Sequence, residues 1–272
     1  MEKRLKKPFM LLFTAVAVLV AASVFFLQSF LSTEVVKAAF QRELSDFTGQ
    51  QIVLNGDVEI RLFPAPEARL TYVIVPSKTI GNKPFLEIET VKARMGLLTL
   101  LTGKAQFSSL QLERPRLNLM RSADGSVDWQ EGFGQIANAA DSARDILSKI
   151  ENTGDNNAPK VNELLPAQFE RRLGNVVFDG GSVILNDADG KLILEATSLK
   201  GNILWPSLNA PISLNGSGVV KGVPISYTFN AAEPLSFLAG QTTPTDLNLI
   251  SDIATLSYQR HLGFFRKHVC RW

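Results

Sequence analysis

Three rhythms of hydrophobic and polar positions succeed one another along the chain. An apolar run from Pro8 to Leu31 carries no charge and only Thr14, Ser23, Gln28 and Ser29 as polar residues. Helical spacing follows, with Val36, Phe40, Leu44 and Phe47 on one stripe, which predicts a helix over residues 33–47 that Gly49 ends. From Ile52 the period falls to two. Ile52, Leu54, Gly56, Val58, Ile60 and Leu62 alternate with Asn55, Asp57, Glu59 and Arg61, as a strand or hairpin with one wet face requires. Asn55-Gly56 fits a tight turn or a bulge equally well.

The apolar run is 24 residues long, about 36 Å of helix at ~1.5 Å per residue. That is enough to span a hydrocarbon core of about 30 Å with some tilt. Lys3, Arg4, Lys6 and Lys7 precede it, which predicts a cytoplasmic N-terminus and an exported body. A cleaved signal peptide is the rival, since Val20-Ala21-Ala22-Ser23 offers small residues. Its apolar core should be only about 7–15 residues, however, and Val24-Phe25-Phe26-Leu27 carries the run onward. An uncleaved anchor over 8–31 is the expectation.

After Pro64-Ala65-Pro66 a second strand places Ala68, Leu70, Tyr72 and Ile74 on one face. Residues 85–95 form a third, whose apolar parity shifts between Leu86/Ile88 and Val91/Ala93 and so predicts a bulge or break. Gly96–Gly103 reads as a helical turn, too short for a membrane. Strands follow at 107–113 and 116–121 around Pro115, and Asp124-Gly125 turns into a strand at 126–129. Ile136, Ala140, Ala143, Ile146, Leu147 and Ile150 predict an amphipathic helix, and 152–159 a polar linker. Strands resume at 176–178, 183–185 and 192–196, punctuated by Asp179-Gly180-Gly181 and Asp189-Gly190. Val223, Ile225, Tyr227 and Phe229 then alternate with polar residues in a half-buried strand. The expected fold is mainly β with minor α: amphipathic, antiparallel-type units in a curled sheet with a short covering helix. The expected divisions are a cytoplasmic tail (1–7), membrane helix (8–31), β-rich domain (32–135), helix and linker (136–166), second β-rich segment (167–258) and an atypical tail (259–272).

Charge changes the picture modestly. Lys and Arg number 28 against 26 Asp and Glu. Residues 1–7 and 260–272 hold eight of the basic residues and one acidic one, leaving 20 basic and 25 acidic residues between them. A body of that sign is a poor nucleic-acid binder. Cys270 is the sole cysteine, so there is no intrachain disulfide framework and no thiolate metal cluster. His261, His268 and Cys270 sit together in the tail, but their spacing fits no metal motif. The tail reads as aberrant or truncated.

Catalytic patterns are missing. Both histidines lie in the tail, and no Gly-x-Ser-x-Gly, P-loop or dinucleotide fingerprint occurs. Asp124, Asp128, Asp187 and Asp189 lie in Asp-Gly turns, where local hydrogen bonding is the usual task. Trp129 has the residue type to stack on a sugar or base, but closing a hairpin it is more often a core anchor. No catalytic, cofactor or metal residues are assigned, and the reading is of a protein that is not an enzyme.

Thr48-Gly49 leading into Gly56-x-Val58-x-Ile60-x-Leu62-Phe63-Pro64 resembles the N-terminal part of the AsmA family. Leu97-Leu98-x-Leu100-Leu101-x-Gly103, Leu110-x-Leu112-Glu113-x-Pro115-x-Leu117-x-Leu119 and Asp124-Gly125-Ser126-x-Asp128-Trp129 are similar to further pieces of that family, in its order. Gly49, Gly56, Pro64, Gly103, Pro115, Asp124, Gly125 and Trp129 are its structural motif positions here. The resemblance covers about 8–135 well and 165–258 loosely, and family members are usually longer. It implies an inner-membrane anchor, a periplasmic body, and a role in outer-membrane biogenesis, with phospholipid carried along an apolar sheet groove. The implied partners are the inner membrane through 8–31, phospholipid and outer-membrane assembly components. Val58, Ile60, Leu62, Leu70, Tyr72 and Ile74 are then the candidate lipid-facing strand face. The same alternation describes a closed sheet with a filled core equally well. A scaffold acting on outer-membrane protein assembly or targeting by strand addition is the alternative function.

Overall fold

The computed structural model describes residues 33–61, 67–77, 83–95, 107–153 and 174–263. The expected membrane span at 8–31, Leu62, Pro64, the turn at 96–103 and residues 154–159 of the expected linker lie outside them, whereas Asn152 and Thr153 close a helix rather than open the linker. Among the described residues no helix is long and apolar enough to cross a membrane.

Twelve strands among the described residues form one sheet. They are β1 (Val53–Leu54), β2 (Val58–Arg61), β3 (Glu67–Val75), β4 (Leu86–Met95), β5 (Phe107–Glu113) and β6 (Arg116–Arg121), then β7 (Gly174–Asp187), β8 (Leu192–Trp205), β9 (Ile212–Val220), β10 (Val223–Ala231), β11 (Thr242–Ser251) and β12 (Thr255–Gly263). Among the described residues three helices accompany them: α1 (Thr33–Thr48), α2 (Gly134–Thr153) and α3 (Pro234–Leu238). Strands β1 and β2 share β3 as their neighbour, and β5 and β6 lie end to end between β4 and β7. Pairing is antiparallel except where β5 and β6 meet β7. The sheet is therefore mixed, a correction to the antiparallel expectation. The physical reason is the crossover: β6 reaches β7 only after α2, and such a connection returns the chain in the same direction. The sheet continues across the expected boundary at 136–166.

Helix α1 packs over the first strands through Phe40 and Leu44. Phe40 is buried with Ile52, Leu54, Val58, Leu70 and Val73, and Leu44 packs beside them. Gly49, at φ 72°, takes the left-handed turn that ends α1, and its amide donates to the Ser45 carbonyl. Helix α2 begins against that turn: a Cβ on Gly134 would come within 2.7 Å of the Thr48 carbonyl oxygen. It then runs to a second cluster in which its Ala139, Ala143 and Leu147 meet Trp205, Leu208 and Leu235.

A fault line crosses the sheet. In β3 the buried positions switch from Ala68 and Leu70 to Val73 and Val75; in β4, from Ala93 and Val91 to Ile88. Backbone φ turns positive at Tyr72 (51°), Arg114 (51°), Gly180 (66°) and Ser198 (51°). These residues lie along one line. Tyr72 and Arg114 flank Glu89 from either side, and Arg114 pairs with the Glu89 carboxylate. Gly180 adjoins Arg114, whose amide donates to the Asp179 carbonyl at 2.8 Å. Ser198 stands in the neighbouring irregularity of β8. Each such residue re-aims the side chains beyond it.

Several expectations change as a result. Asp179-Gly180-Gly181 is a bulge inside the single strand β7, not a turn between two strands. Residues 192–196 are only the start of β8. Tyr72 is 61 % exposed and Ile74 pairs with exposed Val53, so both leave the face that holds Leu70. Asn55-Gly56-Asp57 is an interruption between β1 and β2 along one edge of β3, not a hairpin turn. Ser126–Asp128 makes only an isolated bridge, Arg121 to Val127, before a 3-10 turn at Trp129–Gly132. Strand β12 runs through Gln259, Arg260, His261 and Leu262 to Gly263, so the expected tail begins inside a paired strand.

Candidate functional site

Reading the strand register crosswise reveals what sequence order conceals. Ile60, Ala68, Ala93 and Leu110 are successive partners from β2 to β5. The same row continues through Val176, Ile203, Leu214, Phe229, Leu247 and Tyr258, ending on β12. Beside it run Val58, Leu70, Val91 and Leu112, then Phe178, Gly201, Gly216, Tyr227, Leu249 and Leu256. Between these two rows, on the opposite face, lie Glu59, Arg69, Lys92 and Gln111, then Val177, Asn202, Asn215, Thr228, Asn248 and Ser257. Strand pleating puts neighbouring rows on opposite faces. One face is therefore apolar from β2 to β12, over about 43 Å at ~4.8 Å per strand, and the other is polar.

Cover over this apolar face thins from one end to the other. Ala68, Leu70 and Ala93 are 0 % exposed beneath α1, Val176 to Phe229 are half-buried, and Leu256 is 55 % exposed. The filled-core and open-groove readings each hold, at opposite ends of one sheet. Of the expected lipid-facing residues, Val58, Ile60 and Leu70 belong to the filled end; Tyr72 and Ile74 lie off the face. The open end, on β8 to β12, was not singled out in the sequence beyond the alternation of β10. The signal was present in Val223, Ile225, Tyr227 and Phe229, but β9 and β11 interpose Gly216, Gly218 and threonines that dilute it.

Where α2 and α3 stop covering the face, a cleft of about 230 Å³ opens. Trp205, Ile212, Phe229 and Ala231 form its floor; Trp129, Phe133 and Ile136 line one wall and Pro234, Phe237 and Leu238 the other. The Trp205 indole nitrogen donates to the Ala210 carbonyl at 3.1 Å. Phe229 and Phe237 have ring centroids 6.4 Å apart. Every lining side chain is a hydrophobe, so the cleft suits methylene groups and offers no acid, base or nucleophile. Trp129 is here a wall of the cleft.

The polar face holds ion pairs rather than a reactive cluster. Glu67 receives Arg94 at 3.4 Å and Glu87 receives Arg116 at 3.3 Å. Lys92 donates to Glu113, which with help from Arg69 holds that carboxyl below its usual range against partial desolvation. The turn carboxylates are locally engaged. Asp124 accepts from the Ser126 amide and hydroxyl, Asp128 from the Met120 amide, and Asp187 from the Asp189 and Lys191 amides. Among the described residues no group of three His, Cys, Asp or Glu is placed to hold a metal. Of the family-motif positions, Gly49 caps α1, Gly56 packs on Thr71, Pro115 lies in the fault line and Gly125 (φ 86°) makes the turn after Asp124. Gly103 lies outside the described residues.

The AsmA family pattern matches residues 1–261. The chain belongs to the AsmA family. No curated protein matches it as a relative. Membership supports a general role in outer-membrane-related processes.

Proposed function

We propose that this AsmA-family chain is anchored in the inner membrane by 8–31, holds its body in the periplasm, and serves outer-membrane biogenesis by conducting phospholipid along the apolar sheet face. The observation that carries this reading is the pair of transverse rows, apolar across ten strand positions and progressively uncovered towards β12. A continuous face lets an acyl chain move from strand to strand without crossing a polar barrier. Each buried methylene contributes about 0.8 kcal/mol. The basic residues before Pro8 support the orientation. The reading is non-catalytic, because the cleft has no proton-transfer group.

Native mass spectrometry of the detergent-extracted chain tests it: phospholipid should co-purify. A reporter fused after Glu34 should be active only in the periplasm. A lipid-free protein, or cytoplasmic reporter activity, would overturn the proposal. One observation favours the strand-addition reading as a second route. Among the described residues β12 pairs only with β11, and its nine residues lack the proline, lysine and bulges that guard natural edges.

A further inference from the structure

The two apolar rows contain hydrogen-bonding side chains at Tyr227 and Tyr258 only. Tyr227 stands two residues before Phe229 on the same face of β10, about 7 Å along the strand from the cleft floor. Its ring lies over two glycines. A Cβ on Gly216 would come within 2.6 Å of the Tyr227 hydroxyl oxygen, and one on Gly201 within 3.1 Å. Glycine at both positions lets the ring lie down on the sheet, as paired glycines under an aromatic do elsewhere. The hydroxyl donates to the Lys200 carbonyl at 3.3 Å, which is long for an O–H···O bond. Lys200 itself stands opposite Ser217, at the edge of the irregularity of β8.

We propose that Tyr227 is a positioning residue for an acyl ester: its hydroxyl exchanges the Lys200 carbonyl for the ester carbonyl of a chain whose methylenes occupy the cleft at Phe229. This deepens the lipid reading above and rests on it. A purely apolar face cannot tell a fatty ester from any other hydrocarbon. An ester carbonyl brought onto that face loses its water and needs a donor. Tyr227 supplies a neutral one, since a phenol keeps its proton at neutral pH, and burial raises its ionisation further.

The test offers the full-length chain, in detergent micelles, equal amounts of a diacyl phosphatidylethanolamine and its dialkyl ether analogue, which lacks the carbonyls. Native mass spectrometry reads the bound ratio. The wild type should favour the ester about three- to tenfold, the range one neutral hydrogen bond supplies. Tyr227→Phe keeps the ring over the glycines and should bind the ether analogue as the wild type does, with the preference for the ester gone. A preference that survives in Tyr227→Phe, or none in the wild type, overturns the positioning role and leaves lipid conduction standing. A wild type that takes up neither lipid overturns both. Absorbance titration gives a readout independent of the competition. The chain has three tyrosines, so Tyr227 is assigned by difference. Saturating ester lipid should raise its apparent pKa further than the ether analogue does, since both bury the phenol but only the ester accepts its proton in a hydrogen bond. Equal titration in both lipids overturns the proposal.

Discussion

Leu70 and Leu249 occupy the same transverse row, one at each end of the gradient of cover, so the same substitution should have opposite consequences at the two sites. Leu70 is 0 % exposed. Leu70→Glu loses about 2–3 kcal/mol of apolar burial and leaves an unpaired carboxylate in the core, a further ~3–5 kcal/mol. The sum approaches the whole stability of a typical domain, about 5–15 kcal/mol. Leu249 is half-buried, between Tyr227 and exposed Leu256. Leu249→Glu forfeits about 1 kcal/mol of burial, and its carboxylate stays hydrated while the face is empty.

Thermal unfolding followed by circular dichroism, beside a bound-phospholipid count, decides the matter. Leu70→Glu should fail to show a cooperative transition. Leu249→Glu should unfold within a few degrees of the wild type and carry little lipid. Glu59→Gln, on the wet face, should change neither. If Leu249→Glu collapses the fold as Leu70→Glu does, β11 is packed as a core and the argument from graded cover fails. If it folds and still carries its lipid, the face is not the conduit.

Three further outcomes follow from particular contacts. The folded-state pKa of Glu113 is depressed by Lys92, so this pair's contribution is present above the ordinary glutamate pKa and is lost as pH falls through the lower folded value. Lys92→Met should cost less than about 1 kcal/mol at neutral pH and flatten the acid limb of a pH–stability profile, and an unchanged acid limb would refute the assignment. Ser198→Gly relieves ~1–2 kcal/mol of left-handed strain against ~0.4–1 kcal/mol of added chain entropy; a modest rise in Tm is expected, and a fall would mean that the serine side chain supports the fault line. A chain ended after Tyr258 strips Thr242–Asp246 of β11 of its partners and should lose about 1–3 kcal/mol, whereas an unchanged melt would show that these pairs contribute nothing.

What could be read from the chain alone was whatever repeats locally. Phe40 and Leu44 of the α1 stripe, the Val223–Phe229 alternation and the parity shift in β4 each lie within one element, and each agrees with the structure. The shift in β4 was visible because Ile88 and Val91 are both bulky. Its counterparts were not, since β7 passes the fault through Gly180-Gly181, which resemble a turn, and β3 passes it through Tyr72, which keeps an unbroken apolar alternation on paper. The candidate face suffered most from this. Val58 and Leu70 were placed on one face correctly, but Tyr72 and Ile74 were carried along by a parity the backbone does not keep. The parallel join of β5 and β6 to β7 depends on contacts far apart in sequence, and the polar Gln259, Arg260 and His261 hid the end of β12.

Why the fault line crosses so many strands follows from register. A lone bulge adds a residue to one strand and shifts every pair beyond it. Here the pairings of β3 with β4, and of β5 and β6 with their neighbours β4 and β7, resume beyond the fault in the register they had before it. Of the three shifts between β7 and β8, the two at the fault are opposed and cancel. Because adjacent strands switch together, none loses register to the next. The mismatch appears only at the borders. On one side Leu54 to Val58 spans four steps while Val73 to Leu70 spans three, so the Asn55–Asp57 segment absorbs the extra residue. On the other, Thr197 to Lys200 faces the shorter step from Val219 to Ser217. Beyond these borders β1 and β2, like β9, hold one parity throughout. Left-handed backbone at Tyr72, Arg114 and Ser198 costs about 1–2 kcal/mol at each site. What that strain secures is that Leu110, Leu112, Leu117 and Leu119, on either side of the fault, all pack towards the same core. The apolar face is continuous because the strands change parity in unison.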